Sequence, residues 1–386
     1  MTTPLHAAAL VVGVVVVLVT FSSIMRTLIV PRGLSSRLTA VVERLVRAPF
    51  FAIANRVASY EVKDRLLAFL APSVLLTVLA TWLALVILGF GLMVWAGGGA
   101  TFAGALRESG SSVFTLGFAA PAGTGTTLVA MFAAASGLVI VALQIAYLPT
   151  LYGAFNRREQ LVTKLQSRAG EPAWGPEILA RHQLVGIVDN LAAFYDDWES
   201  WAADVAESHT NYPVLVHFRS PQPLRSWVVA LLAVLDSAAL YLSVAPNETP
   251  SEARLCLRMG FTCLRDIARV MGIPFNADPR PDDPLELTYD EFAAGIERIA
   301  QPGFPMSRRP EEAWPHFRGW RVNYESIAYA IADRVEAVPA LWSGARAHPA
   351  EIIAPRRPVN RQPDRPNEDY NPPVVGRRQR RSPRRR

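Results

Sequence analysis

Three runs of almost unbroken apolar residues occupy the first 152 positions of the chain. Ala7 to Ile24 is nearly all Val, Leu and Ala; Leu66 to Ala96 and Thr126 to Tyr152 follow. A helix rises 1.5 Å per residue, so each run is about long enough to cross a hydrocarbon core of about 30 Å. The first lacks the basic start of a signal peptide. Arginines follow it instead, at Arg26, Arg32 and Arg37, which predicts a helix that stays in the membrane. Between the first two runs, Leu38 to Tyr60 interleaves arginines with Val, Leu, Phe and Ile at helical spacing. That pattern predicts an amphipathic helix lying at the membrane interface.

The basic residues set an orientation. Arg32, Arg37, Arg44, Arg47, Arg56, Lys63 and Arg65 separate the first two runs, and Arg157, Arg158, Lys164 and Arg168 follow the third. Only Arg107 lies between the second and third. The positive-inside bias then puts the amino terminus outside, residues 97–125 outside and the carboxyl terminus in the cytoplasm of a multi-pass cell-membrane protein.

Past residue 152 the pattern changes to amphipathic helical periods. Leu184, Val188, Leu191, Tyr195, Trp198, Ala202 and Val205 fall on one face. Pro176 suits a first helical turn. Thr249-Pro250-Ser251-Glu252 and Thr288-Tyr289-Asp290-Glu291 have a hydroxyl followed by a glutamate at capping spacing. With Arg225–Val244 and a last helix over 315–337, an all-α bundle of about five helices is expected. The stretch Trp227 to Val244 is apolar, but Asp236 at its centre would cost about 2.5–3.5 kcal/mol in a bilayer. A buried helix of the bundle is the better assignment.

The net charge of +6 belongs to the end of the chain. Residues 350–386 hold eleven arginines against four acidic residues and are rich in proline. Such a composition predicts a disordered basic tail that serves solubility or topology, or holds anionic lipid headgroups. No aromatic or groove-reading element accompanies the charge, which argues against nucleic acid. Cys256 and Cys263, seven apart, read as buried thiols on one helix face. The carboxylates Asp196, Asp197, Glu199, Asp204 and Glu207 read mostly as a solvated face, and nothing has the spacing of a metal site, a phosphate loop or a catalytic pair. No cofactor and no enzymatic role are expected.

The segment between the second and third runs is different again. Ala100 to Phe114 is helix-compatible but too short and polar to cross, and it ends in Thr115-Leu116-Gly117-Phe118-Ala119-Ala120-Pro121. A short helix and a Gly-containing strand with both ends outside describe a re-entrant loop over 101–121. Non-helical backbone at membrane depth must line protein or a water-filled cavity. The ungapped frame Ala105-Leu106 to Phe114-Thr115-Leu116-Gly117-Phe118 resembles the pore segment of potassium-channel-like proteins, the two-helix pore-loop family. Ile145-Ala146-Tyr147-Leu148-Pro149-Thr150-Leu151-Tyr152 and Phe155-Asn156-Arg157-Arg158-Glu159 resemble the inner-helix end of a bacterial subset of that family. Segments like Glu207-Ser208-His209 to Tyr212-Pro213 and Gly319 to Tyr324 occur in its cytosolic domains.

The resemblance implies an all-α membrane protein with three transmembrane helices, a re-entrant pore helix and filter loop, and a cytosolic helical bundle. Its parts would be an amino-terminal span with interfacial helix (1–65), a pore domain (66–152), a cytosolic domain (153–345) and the tail (346–386). It implies a homotetrameric channel for monovalent cations, potassium among them. Thr115, Leu116, Gly117, Phe118 and Ala119 would form the filter, after a pore helix carrying Ser109, Ser111 and Ser112. Gly137 and Pro149 would let the inner helix bend, although Gly137 beside Ala133, Ala134 and Ser136 also suits close helix packing. The sequence departs from the family at Ala119, Ala120 and Phe118, where glycine, an acid and tyrosine are usual. Alanine resists the backbone angles that turn alternate carbonyls inward, so an altered upper filter is expected. A non-conducting scaffold or sensor that keeps the fold is the alternative.

Overall fold

A computed structural model describes residues 4–30, 36–348 and 351–356. The described residues contain helices and no strand, only two isolated bridges. Thirteen α-helices occur among them. The first six are α1 (Pro4–Ile24), α2 (Arg37–Ala54), α3 (Tyr60–Leu67), α4 (Leu70–Ala96), α5 (Phe102–Val113) and α6 (Thr124–Ala169). The rest are α7 (Gly175–Val185), α8 (Leu191–Asn211), α9 (Trp227–Val244), α10 (Ser251–Met271), α11 (Tyr289–Ala300), α12 (Pro310–Arg321) and α13 (Glu325–Arg334).

Four stretches are long and apolar enough to cross a membrane: Pro4–Ile29, Tyr60–Ala96, Thr124–Ala169 and Trp227–Val244. The first three expose much of their apolar surface, including Leu10, Leu18, Leu76, Met131, Phe132 and Ile145. Exposed apolar surface on this scale suits lipid rather than water. The fourth, α9, is 94% buried within the chain itself. Its apolarity is that of a core helix.

Small residues let α1 lie closely on α4. A β-carbon on Gly13 would come 2.6 Å from the Gly89 carbonyl oxygen, and one on Gly89 would come 2.7 Å from Val17. Below them, the indole of Trp82 donates to Ser23 Oγ at 3.1 Å, and Ser23 Oγ lies 2.6 Å from Ser36 Oγ at the start of α2. Buried apolar surface is unavailable as a driving force between helices in lipid, and such polar bridges and small-residue contacts take its place.

Two expectations change here, the face predicted over 184–205 and the last predicted helix. Pro149 lies inside α6, which runs unbroken for 46 residues from Thr124 to Ala169. The missing N–H of a proline removes one backbone bond, and the flanking turns carry the helix through it. The face predicted over 184–205 belongs to two helices, because Gly186 takes the left-handed conformation and ends α7; Leu184 is exposed. The last predicted helix is likewise two, α12 and α13, parted at 322–324.

The helical domain thus has seven α-helices among the described residues, α7 to α13, with α9 at its core. The Thr288–Glu291 capping box forms, with Thr288 Oγ1 accepting from the Glu291 N–H. The Thr249 one does not: Thr249 donates back to the Ala245 carbonyl and Pro250 occupies the cap. Cys256 and Cys263 are buried free thiols. At the centre, Asp236 on α9 ion-pairs Arg321 of α12 and accepts from Tyr324 at 2.9 Å, while Arg321 also bonds Glu325, Tyr329 and the Trp342 carbonyl. Burial pushes the Asp236 carboxyl up to about 6, against the pull of Arg321 and Tyr324. The polar residue that argued against a membrane crossing is satisfied inside the bundle.

Most of the predicted basic tail lies outside the described residues. Its first part, however, is packed: Arg346 is buried and donates to the carbonyls of Ala337, Val338 and Ser343. The Ile353 and Arg356 N–H groups bond the carbonyls of Pro339 and Glu171. Ile353 also packs against the core of the helical domain, so this part of the tail has both an apolar anchor and the donors of one guanidinium.

Candidate pore loop and its coupling to the helical domain

Helix α5 is capped by Thr101, whose hydroxyl accepts from the Gly104 N–H at 3.1 Å. From there it descends between α4 and α6. Leu106 lies against Gly91, where a β-carbon would come 3.1 Å from its Cδ2 atom. One turn lower, Ser109 Oγ donates 2.8 Å to the Ile87 carbonyl of α4. At its end, the Val113 carbonyl meets Gly137 of α6 so closely that a β-carbon there would sit 1.9 Å from the oxygen. Gly137 lies thirteen residues below the start of α6, a depth of about 20 Å along the helix. The chain then comes back up. Thr126 and Ala122 lie beside Gly97 and Gly99, at the end of α4 where α5 began. Residues 101–121 therefore go down between two long apolar helices and return to the same end.

The turn at the bottom holds the predicted filter residues. Thr115 has φ 55° and Gly117 φ 73°, while Leu116 between them is not left-handed. Positive φ at alternate residues turns successive carbonyls toward one side. For Thr115, which is β-branched, this conformation costs about 1–3 kcal/mol and persists only where the surroundings enforce it. Ser111 does part of the enforcing. Its carbonyl accepts from the Leu116 N–H at 2.8 Å, and its Oγ accepts from the Ala119 N–H at 3.3 Å. Ser112 Oγ turns back to the Glu108 carbonyl. The alternation does not continue: Ala119 has no positive φ.

Phe114, Thr115, Leu116, Gly117 and Phe118 are all exposed in the single chain, although Ser109 and Ser111 just above are buried. Phe118 is covered from one side by the Arg107 guanidinium, 5.3 Å from its ring centre. This is a cation–π contact between a charge and the face of the ring. Arg107 counted only as a lone outside charge in the sequence; its offset of eleven positions from Phe118 gave no signal of contact.

The other ends of α4 and α6 meet the helical domain. Tyr147, Leu151 and Ala154 of α6 pack with Ala71 of α4 against Leu215 and Phe218. Arg158 is fully buried. It donates to the carbonyls of Leu215 at 2.8 Å and Phe218 at 2.7 Å, lies 3.0 Å from His209 Nε2, and pairs with Glu159. On the other side of the same segment, Arg219 ion-pairs Asp64 of α3, donates to Tyr60 OH at 2.8 Å and bonds the carbonyls of Val335 and Glu336. Lys63 and Glu336 pair at 2.6 Å. Residues 212–219 are thus tied to both long helices. Further out, Arg157–Asp204 and Lys164–Asp197 fasten α6 to α8, so two carboxylates of the expected solvated face have partners.

In the sequence, Arg157 and Arg158 read alike as charges that set the orientation. The difference between a surface arginine and one with every donor buried depends on which chain segment folds over it. No group of three His, Cys, Asp or Glu residues suited to a metal occurs among the described residues. No protein-family model, curated protein or solved structure matches this chain.

Proposed function

We propose that this protein is a passive cation channel of the pore-loop kind, with four copies of residues 101–121 around a common axis. The observation that carries the reading is the path of that segment. It enters between α4 and α6, turns about 20 Å down at residues with alternating left-handed backbone, and leaves by the same end. One such loop encloses nothing. Exposure of residues 114–118 is what a loop facing copies of itself requires. In this arrangement Thr115, Leu116 and Gly117 offer main-chain oxygens to a dehydrated monovalent cation. The carbonyl end of α5 favours positive charge below them. The positive-inside bias puts the loop on the outer face and the helical domain in the cytoplasm, and residues 212–219 carry movement of that domain to α4 and α6.

Purified full-length protein in planar bilayers tests this. Cation current, altered in ion preference by Thr115→Ser, is expected; a stable tetramer that passes no current under any voltage, pH or ion gradient would overturn it.

A scaffold or sensor that no longer conducts is favoured by one observation, the end of the left-handed alternation at Ala119. The double substitution Ala119→Gly/Ala120→Asp separates the readings. A gain of potassium-selective current in a pore that already conducts supports an altered filter, whereas current appearing only in the variant supports the scaffold.

A further inference from the structure

The interfacial helix and the helical domain enclose a second feature that the pore does not use. A cleft of about 300 Å³ opens between α2, the Pro213–His217 turn and the ends of α10 and α13. Arg44 and Arg47, three apart and so on one side of α2, face Arg334 at the last residue of α13 across it. Glu43 is the one carboxylate in the lining and is already engaged, 3.4 Å from His217 Nε2 and 3.6 Å from Arg47. Arg47 also donates to the Arg334 carbonyl at 3.3 Å. Arg44 and Arg334 are exposed, and among the described residues neither side chain has a hydrogen bond or an ion pair. The cleft therefore brings together three guanidinium groups from two separate parts of the chain, against one carboxylate that is occupied elsewhere.

Like charges brought together this way repel: burial first, and the Arg334 charge after it, disfavour the charged form of Arg47, against the opposing pull of Glu43. A ligand that relieves the repulsion must be anionic, must fill a volume of that order, and must accept several N–H donors from different directions. A phosphate group does so better than a carboxylate, because its oxygens point tetrahedrally while guanidinium forks approach from two sides.

We propose that this cleft binds a phosphate-bearing anion, with Arg44 and Arg334 as its direct ligands and Arg47 as the residue joining the two walls. Such an anion bridges α2 to α13, and so strengthens the hold of the helical domain on the membrane part. Both a phospholipid headgroup and a soluble phosphate ester have this chemistry. The headgroup source rests on the reading of α2 as an interfacial helix; the site itself does not.

The test uses the full chain in a neutral detergent, with binding read by native mass spectrometry and by thermal shift. The probes are short-chain phosphatidylglycerol, short-chain phosphatidylcholine and inorganic pyrophosphate. Wild type is expected to bind phosphatidylglycerol or pyrophosphate in preference to phosphatidylcholine. The Arg44→Ala/Arg334→Ala variant should bind at least tenfold more weakly. Arg44→Lys/Arg334→Lys keeps both charges but loses the forks, so it should recover only part of the affinity lost in the alanine variant, and this partial rescue separates loss of charge from loss of fold. Binding of phosphatidylglycerol without competition by pyrophosphate assigns the site to a lipid headgroup; binding of pyrophosphate with competition assigns it to a soluble phosphate. Equal binding by wild type and the double alanine variant overturns the proposal. So does an equal loss in Arg258→Ala/Arg309→Ala, exposed arginines outside the cleft. No current is recorded, so failure here leaves the pore reading intact, and failure of the pore leaves this site standing.

Discussion

The carbonyl oxygen of Val113 occupies the space that a side chain on Gly137 would need. An ideal β-carbon at Gly137 would lie 1.9 Å from that oxygen, and the obstacle is backbone. Gly137 thus serves first as the seat of the short helix α5, and any bending at that point would have to carry α5 with it.

Gly137→Ala should therefore displace α5 from α6, at a cost of about 3 kcal/mol or more, at the upper end of overpacking penalties. Gly125→Ala, in open space on the same helix, should be neutral within about 0.5 kcal/mol. Thermal melting in detergent compares the two. Similar melting temperatures for both variants would contradict the close seating of Val113.

Ser111→Ala removes the acceptor for the Ala119 N–H and leaves the fold of α5 in place. One neutral hydrogen bond is worth about 1 kcal/mol, or about fivefold in a population. The expected outcome is a change of that size in relative permeability between potassium and sodium, with melting unchanged. Bi-ionic reversal potentials measure it; an unchanged ratio would mean that Ser111 does not hold the filter turn.

Arg158→Met keeps much of the side-chain volume but strands the carbonyls of Leu215 and Phe218 and the carboxylate of Glu159. Breaking a buried charged network from one side costs about 3–5 kcal/mol. For a domain of this size the melting temperature should fall by on the order of 10 °C. Arg157→Met, at an exposed pair, should shift it by less than about 2 °C. Differential scanning calorimetry of both variants decides whether α6 is held to the domain by the buried arginine or by the surface pairs.

Acid should weaken the helical domain, the Arg158 junction included. Burial holds His182, His209 and His217 below their ordinary value of 6.5, His209 furthest, helped there by the Arg158 charge. The unfolded chain takes up protons on these rings as pH falls through 6.5, while the folded chain resists. Stability is then full above pH 6.5 and declines on acidification below it. Asp236, pushed up to about 6, acts in the opposite sense, so the comparison has to be made within one background. His209→Gln should flatten the fall in melting temperature between pH 7 and pH 5; an unchanged slope would remove His209 from the account.

Much of this architecture is legible from spacing alone. Unbroken apolar runs gave α1, α4 and the upper part of α6, because nothing but a helix satisfies its own backbone in lipid. Asp236 in the middle of Trp227–Val244 separated a core helix from a crossing one, because a charge that would be costly in lipid can be paired in protein. The Thr288–Glu291 box is a local feature that residue spacing signalled, although the same spacing at Thr249–Glu252 formed no box.

Other features depended on which parts of the chain meet. Pro149 reads as a point of bending, yet α6 runs through it without interruption. Arg157 and Arg158 are adjacent and chemically identical, yet one is at the surface and the other is enclosed by Leu215, Phe218 and His209. Sequence determined that this chain has apolar helices, a short interrupted segment between two of them and a helical domain after them. Tertiary structure decided that α5 rests on Gly137, that residues 212–219 tie α4 and α6 together, and that three arginines share one cleft. The physical reason is range. Helix propensity, capping and hydropathy act over a few residues, whereas burial and pairing of a charge depend on partners tens or hundreds of positions away.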